Sequence, residues 1–225
     1  MSKKAYNYVV LVCSLVIILA IVLIFVINSE NKVKNSFVFN KHLDDTILTF
    51  ELNDDDQSIT LKELSYYILL MEASVNHTAA LYDPDNSNSF WNLYIEHTFV
   101  KSMAKDTSID MCIRDNIYYL EATANNLTLD SKEANQVSEE TSYIYYNLTG
   151  KQVDATELSY QDIYNVRYKI ALAAKYISKL MNEDSYTKEE LNVNGSYYEV
   201  LQKKYPVTIA EVWDEVTLGN ITIDN

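Results

Sequence analysis

The chain has 225 residues, which leaves room for one domain of ordinary size once an apolar N-terminal run is set aside. Its formal net charge is −14, and its 18 Lys and Arg residues are scattered among 32 Asp and Glu residues. This argues against nucleic acid as a partner, because phosphate contacts need clustered basic residues. With only three Gly and two Pro, which are the usual helix breakers, the composition favours a mostly α fold.

A segment near the N-terminus predicts a membrane anchor. Residues 9–27 read VVLVCSLVIILAIVLIFVI, and a helix of this length, at about 1.5 Å per residue, spans a bilayer core. No small-x-small cleavage site follows the run, so we expect an uncleaved transmembrane helix. A lipoprotein cysteine at Cys13 is the alternative, but the three residues before it are large and apolar.

The charges beside this segment favour an internal N-terminus only slightly. Lys3 and Lys4 on one side are nearly balanced by Lys32 and Lys34 on the other. The polar stretch that follows is typical of a tether. We therefore divide the chain into a short N-terminal tip and anchor at 1–28, a tether at 29–45 and a folded domain at 46–225.

The folded domain begins with a predicted strand and a predicted helix. In TILTFEL, at 46–52, the apolar side chains alternate, which indicates a half-buried strand. NDDDQS follows as a predicted turn. Thr60 and Glu63 have the spacing of a helix N-cap and its third residue, and an apolar stripe then continues to around Leu81.

Two long helices are predicted next, joined by a corner. DPDNSNS at 83–89 is rich in turn formers, and FWNLYIEH is expected to begin a helical region whose main helix is about 25 residues long. The helix ends at Asn125 and Asn126, which supply the corner in place of glycine. Ile117 and Leu120 are expected to face the core. Asp130 as the N-cap, with Glu133 three positions later, then begins a second helix. This helix should continue to Gly150, its C-terminal cap.

The remaining elements return the chain to a strand. Ser159 and Asp162 cap the last long helix, and a shorter helix from Tyr197 ends before Pro206. The tail VWDEVTLGNITID alternates and is predicted to be a strand. A lone strand leaves its backbone groups unpaired, so we expect a small β pairing between this N-terminal strand and the C-terminal one.

The sequence offers no constellation for catalysis, a metal or a cofactor. His42, His77 and His97 lie on separate segments, and no His-x-x-x-His or Cys-x-x-Cys spacing occurs. Three glycines could hardly build a nucleotide-binding loop. We therefore predict no enzyme, no metal site and no cofactor.

Tyrosine is the unusual feature, with 19 residues and four doublets on predicted helices. One interpretation is that the rings fill gaps between crossing helices, with their hydroxyls at the surface. The other is that several rings line a cleft for exposed apolar segments of other proteins. The candidate client-binding residues are Tyr66, Tyr67, Trp91, Tyr94, Tyr118 and Tyr119, and Tyr118 or Tyr119 is expected at the edge of the binding surface.

The order of these parts resembles a known family. The segments that carry the likeness, in chain order, are ITLKELSYYI, FWNLYIEHTFVKSMAKD, IYYLEATANNLTLDSKE, RYKIALAAKYISKLM and YYEVLQKKYPVTIAEVW. Over residues 47–218 they resemble the helical N-terminal chaperone module of the SurA and PrsA extracytoplasmic chaperones and foldases. The most specific of these segments is the long helix, its Asn-containing corner and the acidic helix after it.

One departure from that family bears directly on activity. A parvulin-type prolyl isomerase domain usually lies between the last long helix and the closing helix, but here only the fifteen residues of NEDSYTKEELNVNGS connect Met181 to Tyr197. The resemblance implies a chaperone-like protein without isomerase activity, on the outer face of the cytoplasmic membrane. Its expected partners are unfolded or partly folded secreted proteins. The alternative is a non-catalytic interaction subunit of a membrane secretion or cell-wall assembly complex. The sequence leaves the oligomeric state open.

Overall fold

The computed structural model describes residues 37–52 and 56–223, and the predicted anchor at 9–27 lies outside this range. None of the helices within the described ranges has the length and apolarity needed to cross a membrane. A compact unit begins at Phe39. Its first residues form a single 3-10 turn, Phe39–Lys41, and Leu43 is buried.

The described residues are mostly helical with a small antiparallel sheet, which confirms the predicted fold class at this level. The helices are α1 (Leu61–Tyr82), α2 (Ser87–Phe90), α3 (Val100–Ala124), α4 (Ser131–Tyr146), α5 (Gly150–Thr156), α6 (Tyr160–Glu183), α7 (Lys188–Leu191), α8 (Ser196–Lys204) and α9 (Val212–Glu215). The strands are β1 (Thr46–Phe50), β2 (Gln57–Thr60), β3 (Tyr94–Ile95), β4 (Thr98–Phe99) and β5 (Val207–Ile209).

Strand β1 is the centre of a three-stranded antiparallel sheet with the order β2-β1-β5. Leu48 lies opposite Ile59 on one side and opposite Ile209 on the other. The expected pairing between the N-terminal strand and a C-terminal strand is therefore present. Its partner, however, is the segment after Pro206, and β2 begins within the stretch predicted as a turn.

The prediction of a strand in the C-terminal tail is wrong. The tail instead forms the short helix α9 and then irregular backbone, although Val216, Leu218 and Ile223 are buried as the alternation suggests. The backbone N–H groups of this segment bond to the carboxylate of Glu72 on α1. A side-chain acceptor therefore replaces the neighbouring strand that the backbone would otherwise need.

The prediction that FWNLYIEH starts a helix is also wrong. Strands β3 and β4 form a hairpin there, and its turn residues Glu96 and His97 have φ of 49° and 71°. Two consecutive left-handed residues are typical of the tight turns that join hairpin strands. The rings of Tyr94 and Phe99 pair across the hairpin with centroids 5.2 Å apart. Helix α3 starts only at Val100, and its length of 25 residues is as predicted.

The local capping signals are confirmed at three helix starts. Thr60, Asp130 and Ser159 each accept a hydrogen bond from the backbone of the following first turn. The prediction for Gly150 is wrong, because α4 already ends at Tyr146 and Gly150 is the first residue of α5. Thr149 and Gln152 form a reciprocal capping box at that point, and this local signal starts a new helix.

The corner between α3 and α4 has the geometry expected from its asparagines. Asn126 adopts a left-handed φ of 56°, and the Leu127 N–H donates back to the carbonyl of Ala122 at 2.9 Å. A left-handed residue after the last helical turn lets the following N–H groups bond to carbonyls that the helix leaves unpaired. Asn tolerates this conformation better than other non-glycine residues.

We expect Asn126→Val to lower the free energy of unfolding by about 1–2 kcal/mol, because a β-branched side chain is strained at positive φ. Asn126→Gly should be neutral or slightly stabilising. Urea unfolding followed by circular dichroism measures both changes. Asn135→Val, at an exposed position inside α4, is the matched control and should change stability little. Equal losses at both positions would contradict the assignment.

Helices α1, α3, α4 and α6 form the body of the domain. Helix α3 packs against both α1 and α6, and α4 packs against α6. Helix α1 also contacts α6, so that α1 and α4 flank this helix. The space between these two flanking helices is where the candidate site lies.

Candidate functional site

The six candidate aromatic residues occupy different environments. Tyr66, Tyr67, Trp91 and Tyr118 are 1%, 1%, 3% and 0% exposed, whereas Tyr94 on the hairpin is 63% exposed. Tyr119 is half-buried. In this conformation the four buried residues fill gaps between elements, as the first interpretation of the tyrosines expects.

Tyr118 is a core residue, so Tyr119 is the one of these two tyrosines that could form the edge of a surface. The Tyr118 hydroxyl donates to the Leu191 carbonyl at 2.6 Å, and its ring stacks on Tyr198 with centroids 6.0 Å apart. Burial raises the pKa of Tyr118 to about 12. Leu120, which was expected in the core beside Ile117, is only half-buried, because the buried face of α3 passes through Tyr118 and Glu121 instead.

A groove of about 450 Å³ lies between α1 and α4, and Arg167 of α6 lines it between them. We call it the α1–α4 groove. Its lining residues are Tyr66 and Leu70 of α1, Glu139, Glu140, Tyr143 and Ile144 of α4, and Arg167. Tyr143 is 74% exposed, so this groove offers an aromatic ring to solvent beside aliphatic side chains.

Two hydrogen-bond donors of the α1–α4 groove lack a partner among the described residues. They are the Tyr66 hydroxyl and Arg167 Nε, both of which are buried. Burial raises the pKa of Tyr66, although the nearby Arg167 guanidinium opposes this rise. The hydroxyl therefore stays protonated at neutral pH and remains a donor.

An ion pair closes one wall of the groove. The Arg167 guanidinium pairs with the Glu140 carboxylate, which also accepts from Gln136 Nε2 at 3.0 Å. The same two charged residues line a second groove of about 300 Å³ between α4 and α6. Their side chains are 22% and 36% exposed, so this pair borders both spaces and remains in contact with water.

A buried acid lies close to the floor of the α1–α4 groove. Burial raises the pKa of Asp115 to about 6, and the charges of Arg114 and Arg167 and the Tyr67 hydroxyl oppose this rise. Arg114 Nη1 is 3.6 Å from Asp115 Oδ1. Nε of Arg114 is buried and has no hydrogen-bond partner among the described residues.

A second polar group in the core is well paired. Lys169 Nζ lies 2.6 Å from Glu63 Oε1 and 3.3 Å from Asn116 Oδ1, and Asn116 Nδ2 donates to the Cys112 carbonyl at 2.9 Å. Cys112 is fully buried, and this burial raises the pKa of its thiol. A thiol of this kind is a poor nucleophile. No group of three metal-ligating side chains occurs within 37–52 and 56–223.

Most residues of the α1–α4 groove were not candidates from the sequence. Ile144 was not a candidate, and Tyr143 was not singled out because it lies outside the tyrosine doublets. Arg167 directly follows Val166, which is buried on α6. A charged residue next to a buried apolar one is the signal that could have identified this place, since a largely buried Arg needs a partner.

The chain was compared with protein-family models, curated proteins and solved structures, and none of them matches it.

Proposed function

We propose that the protein is a chaperone-like binder without enzymatic activity, and that it holds exposed apolar segments of unfolded or partly folded secreted proteins. The anchor predicted at 9–27 keeps it on the outer face of the cytoplasmic membrane. The observation that supports the proposal most is the α1–α4 groove, in which Leu70, Tyr143 and Ile144 border unpaired donors. The resemblance to the SurA and PrsA chaperone module supports the same function.

Aromatic and aliphatic side chains suit this task because they provide contact area at low entropic cost. The groove is also small enough to hold only a few side chains at a time. Binding of this kind is weak for each segment, which allows a client to leave and fold. The chain's strong negative charge keeps the holder soluble and favours basic clients.

A dedicated interaction subunit of a membrane secretion or cell-wall assembly complex is the second candidate. The Glu140–Arg167 ion pair favours it, since a groove that contains a charge pair is more selective than a purely apolar one. A general chaperone should protect several unrelated proteins. A dedicated subunit should bind one defined partner and leave these unrelated proteins unprotected.

The test uses the full chain in lipid nanodiscs and light scattering from several unrelated aggregating proteins. We expect the protein to suppress aggregation of all of them, whereas empty nanodiscs should not. Tyr143→Ser should weaken this suppression by about tenfold, as expected for loss of an aromatic anchor. Tyr146→Ser is the matched control, because Tyr146 is 79% exposed and lies outside the groove. If the protein suppresses the aggregation of none of these proteins, the general-chaperone proposal is overturned. Capture of one defined partner would favour the second candidate.

A further inference from the structure

The unpaired donors of the α1–α4 groove indicate what a ligand there must provide. The Tyr66 hydroxyl and Arg167 Nε are buried without an acceptor among the described residues, which costs free energy in the unliganded protein. A ligand that supplied acceptors would recover this cost. Main-chain carbonyls of an extended peptide are neutral acceptors at regular spacing, and they suit a site that already contains two carboxylates.

Access to these donors depends on the wall of the groove. Both donor atoms are almost without solvent-exposed surface, so a ligand reaches them only after a side chain moves. The Glu140–Arg167 pair borders the groove and is partly exposed. Partly exposed ion pairs contribute little to stability, so this one can open at low cost.

The charges around the groove select the ligand further. Glu139 is exposed and has no ion pair with another described residue, and Glu140 is its neighbour on α4. A Lys or Arg on the ligand would find two carboxylates there, whereas an acidic residue would be repelled by them. Leu70, Tyr143 and Ile144 provide the adjoining apolar contact.

We propose that the α1–α4 groove selects extended segments in which an apolar residue lies next to Lys or Arg. The basic side chain of the ligand takes over Glu140 from Arg167, and Arg167 and the Tyr66 hydroxyl then donate to main-chain carbonyls of the ligand. This exchange pairs Glu140 with the cation of the ligand, gives the Arg167 guanidinium carbonyl acceptors in place of the carboxylate, and satisfies the two unpaired donors. The inference rests on the proposed function, because it specifies the clients of that same groove.

The test is fluorescence anisotropy of three labelled extended peptides with the same apolar residues and with Lys, Gln or Glu beside them. With the full chain in nanodiscs, we expect the Lys peptide to bind about tenfold more tightly than the Gln peptide, and the Glu peptide to bind most weakly. Glu140→Gln should remove most of this preference. Glu199→Gln changes the net charge equally at an exposed position on α8, and it should leave the preference intact. Equal effects of the two variants would overturn the inference.

Tyr66→Phe separates binding from folding. We expect it to weaken the binding of the Lys peptide by about fivefold, because one hydrogen bond to the ligand is lost. The melting temperature should not fall. Tyr67→Phe also removes a buried hydroxyl, but Tyr67 does not line the groove, so binding should stay unchanged. A lower melting temperature with unchanged binding in Tyr66→Phe would assign the hydroxyl a structural role and overturn the inference.

The peptide results also separate the two proposals from each other. Equal binding of the three peptides would leave the proposed function standing and overturn the selectivity inferred here. No measurable binding of any peptide would count against both.

Discussion

Glu72→Gln is expected to lower the free energy of unfolding by about 3–5 kcal/mol and to release the C-terminal segment from α1. Glu72 is 0% exposed, yet its charge is well compensated. Its Oε1 accepts from the N–H groups of Gly219 at 2.6 Å and Ile221 at 3.2 Å. Its Oε2 accepts from the N–H of Thr222 at 2.6 Å and from its hydroxyl at 2.7 Å.

The expected loss is large because an amide cannot replace this carboxylate. A glutamine can offer its carbonyl oxygen to only one of the two pairs of donors. Its NH₂ group faces the other pair, so those two donors lose their acceptor and meet a further donor instead. Gly219 adds to this constraint, since its φ of 115° is left-handed and a Cβ there would lie 3.1 Å from the Trp91 ring. The segment therefore cannot easily shift to find other partners.

Urea unfolding measures the loss, and hydrogen exchange of residues 219–222 locates it. Exchange of these amides should accelerate strongly in Glu72→Gln, while the amides of α6 follow global unfolding. Glu199→Gln is the control, because Glu199 lies exposed on α8 and its side chain makes no hydrogen bond within the described residues. Unchanged protection at Gly219 and Thr222 would contradict the assigned role of Glu72.

The contacts of Glu72 also illustrate why some parts of the fold could be predicted from the sequence and others could not. The caps at Thr60, Asp130 and Ser159 depend on residues three positions apart, and they were predicted correctly. The tail depends on a carboxylate about 150 positions away along the chain. Its alternating pattern reports burial correctly but cannot show that a side chain replaces the neighbouring strand.

The prediction for the segment that forms the hairpin at 94–99 failed for a related reason. Its turn residues Glu96 and His97 are not the Asn-Gly or Asp-Gly pairs that announce such turns, so the local signal was absent. Tertiary contacts, such as the buried Trp91 ring near Gly219, hold the segment in place instead.

The candidate site was predicted only in part. Tyr66 was a candidate and does line the α1–α4 groove, but as a buried floor residue and not as an exposed ring. Tyr143 and Arg167 belong to the groove because three helices meet there, and helix crossing is not visible in a single sequence. Periodicity indicates which face of each helix is buried, but not which neighbouring helix covers it.

Asp115→Asn is expected to stabilise the protein by up to about 3 kcal/mol near neutral pH, which most substitutions of partly buried charges would not do. Burial raises the pKa of Asp115 from 3.8 to about 6, and its side chain is only 13% exposed. The folded state therefore favours the neutral form more than the unfolded state does. Asparagine is neutral at every pH and has nearly the same shape.

The pH dependence gives this prediction its direction. Because the pKa of the folded state is the higher one, Asp115 contributes its full stabilisation below the unfolded pKa of 3.8. That contribution is lost as the pH rises through about 6. The advantage of Asp115→Asn should therefore be greatest above about pH 7 and fall below about 1 kcal/mol near pH 4.

The measurement is urea unfolding of both proteins over this pH range, with Asp154→Asn as the control at an exposed position of α5. The control should give a small and nearly constant difference. Loss of the carboxylate partner should cost little at Arg114, because its side chain is 31% exposed and can bind water. A destabilised Asp115→Asn at neutral pH would mean that the carboxylate is held ionised by the two arginines and the Tyr67 hydroxyl. In that case the floor of the α1–α4 groove would be a paired charge cluster, and Arg167 would be less free to turn towards a ligand.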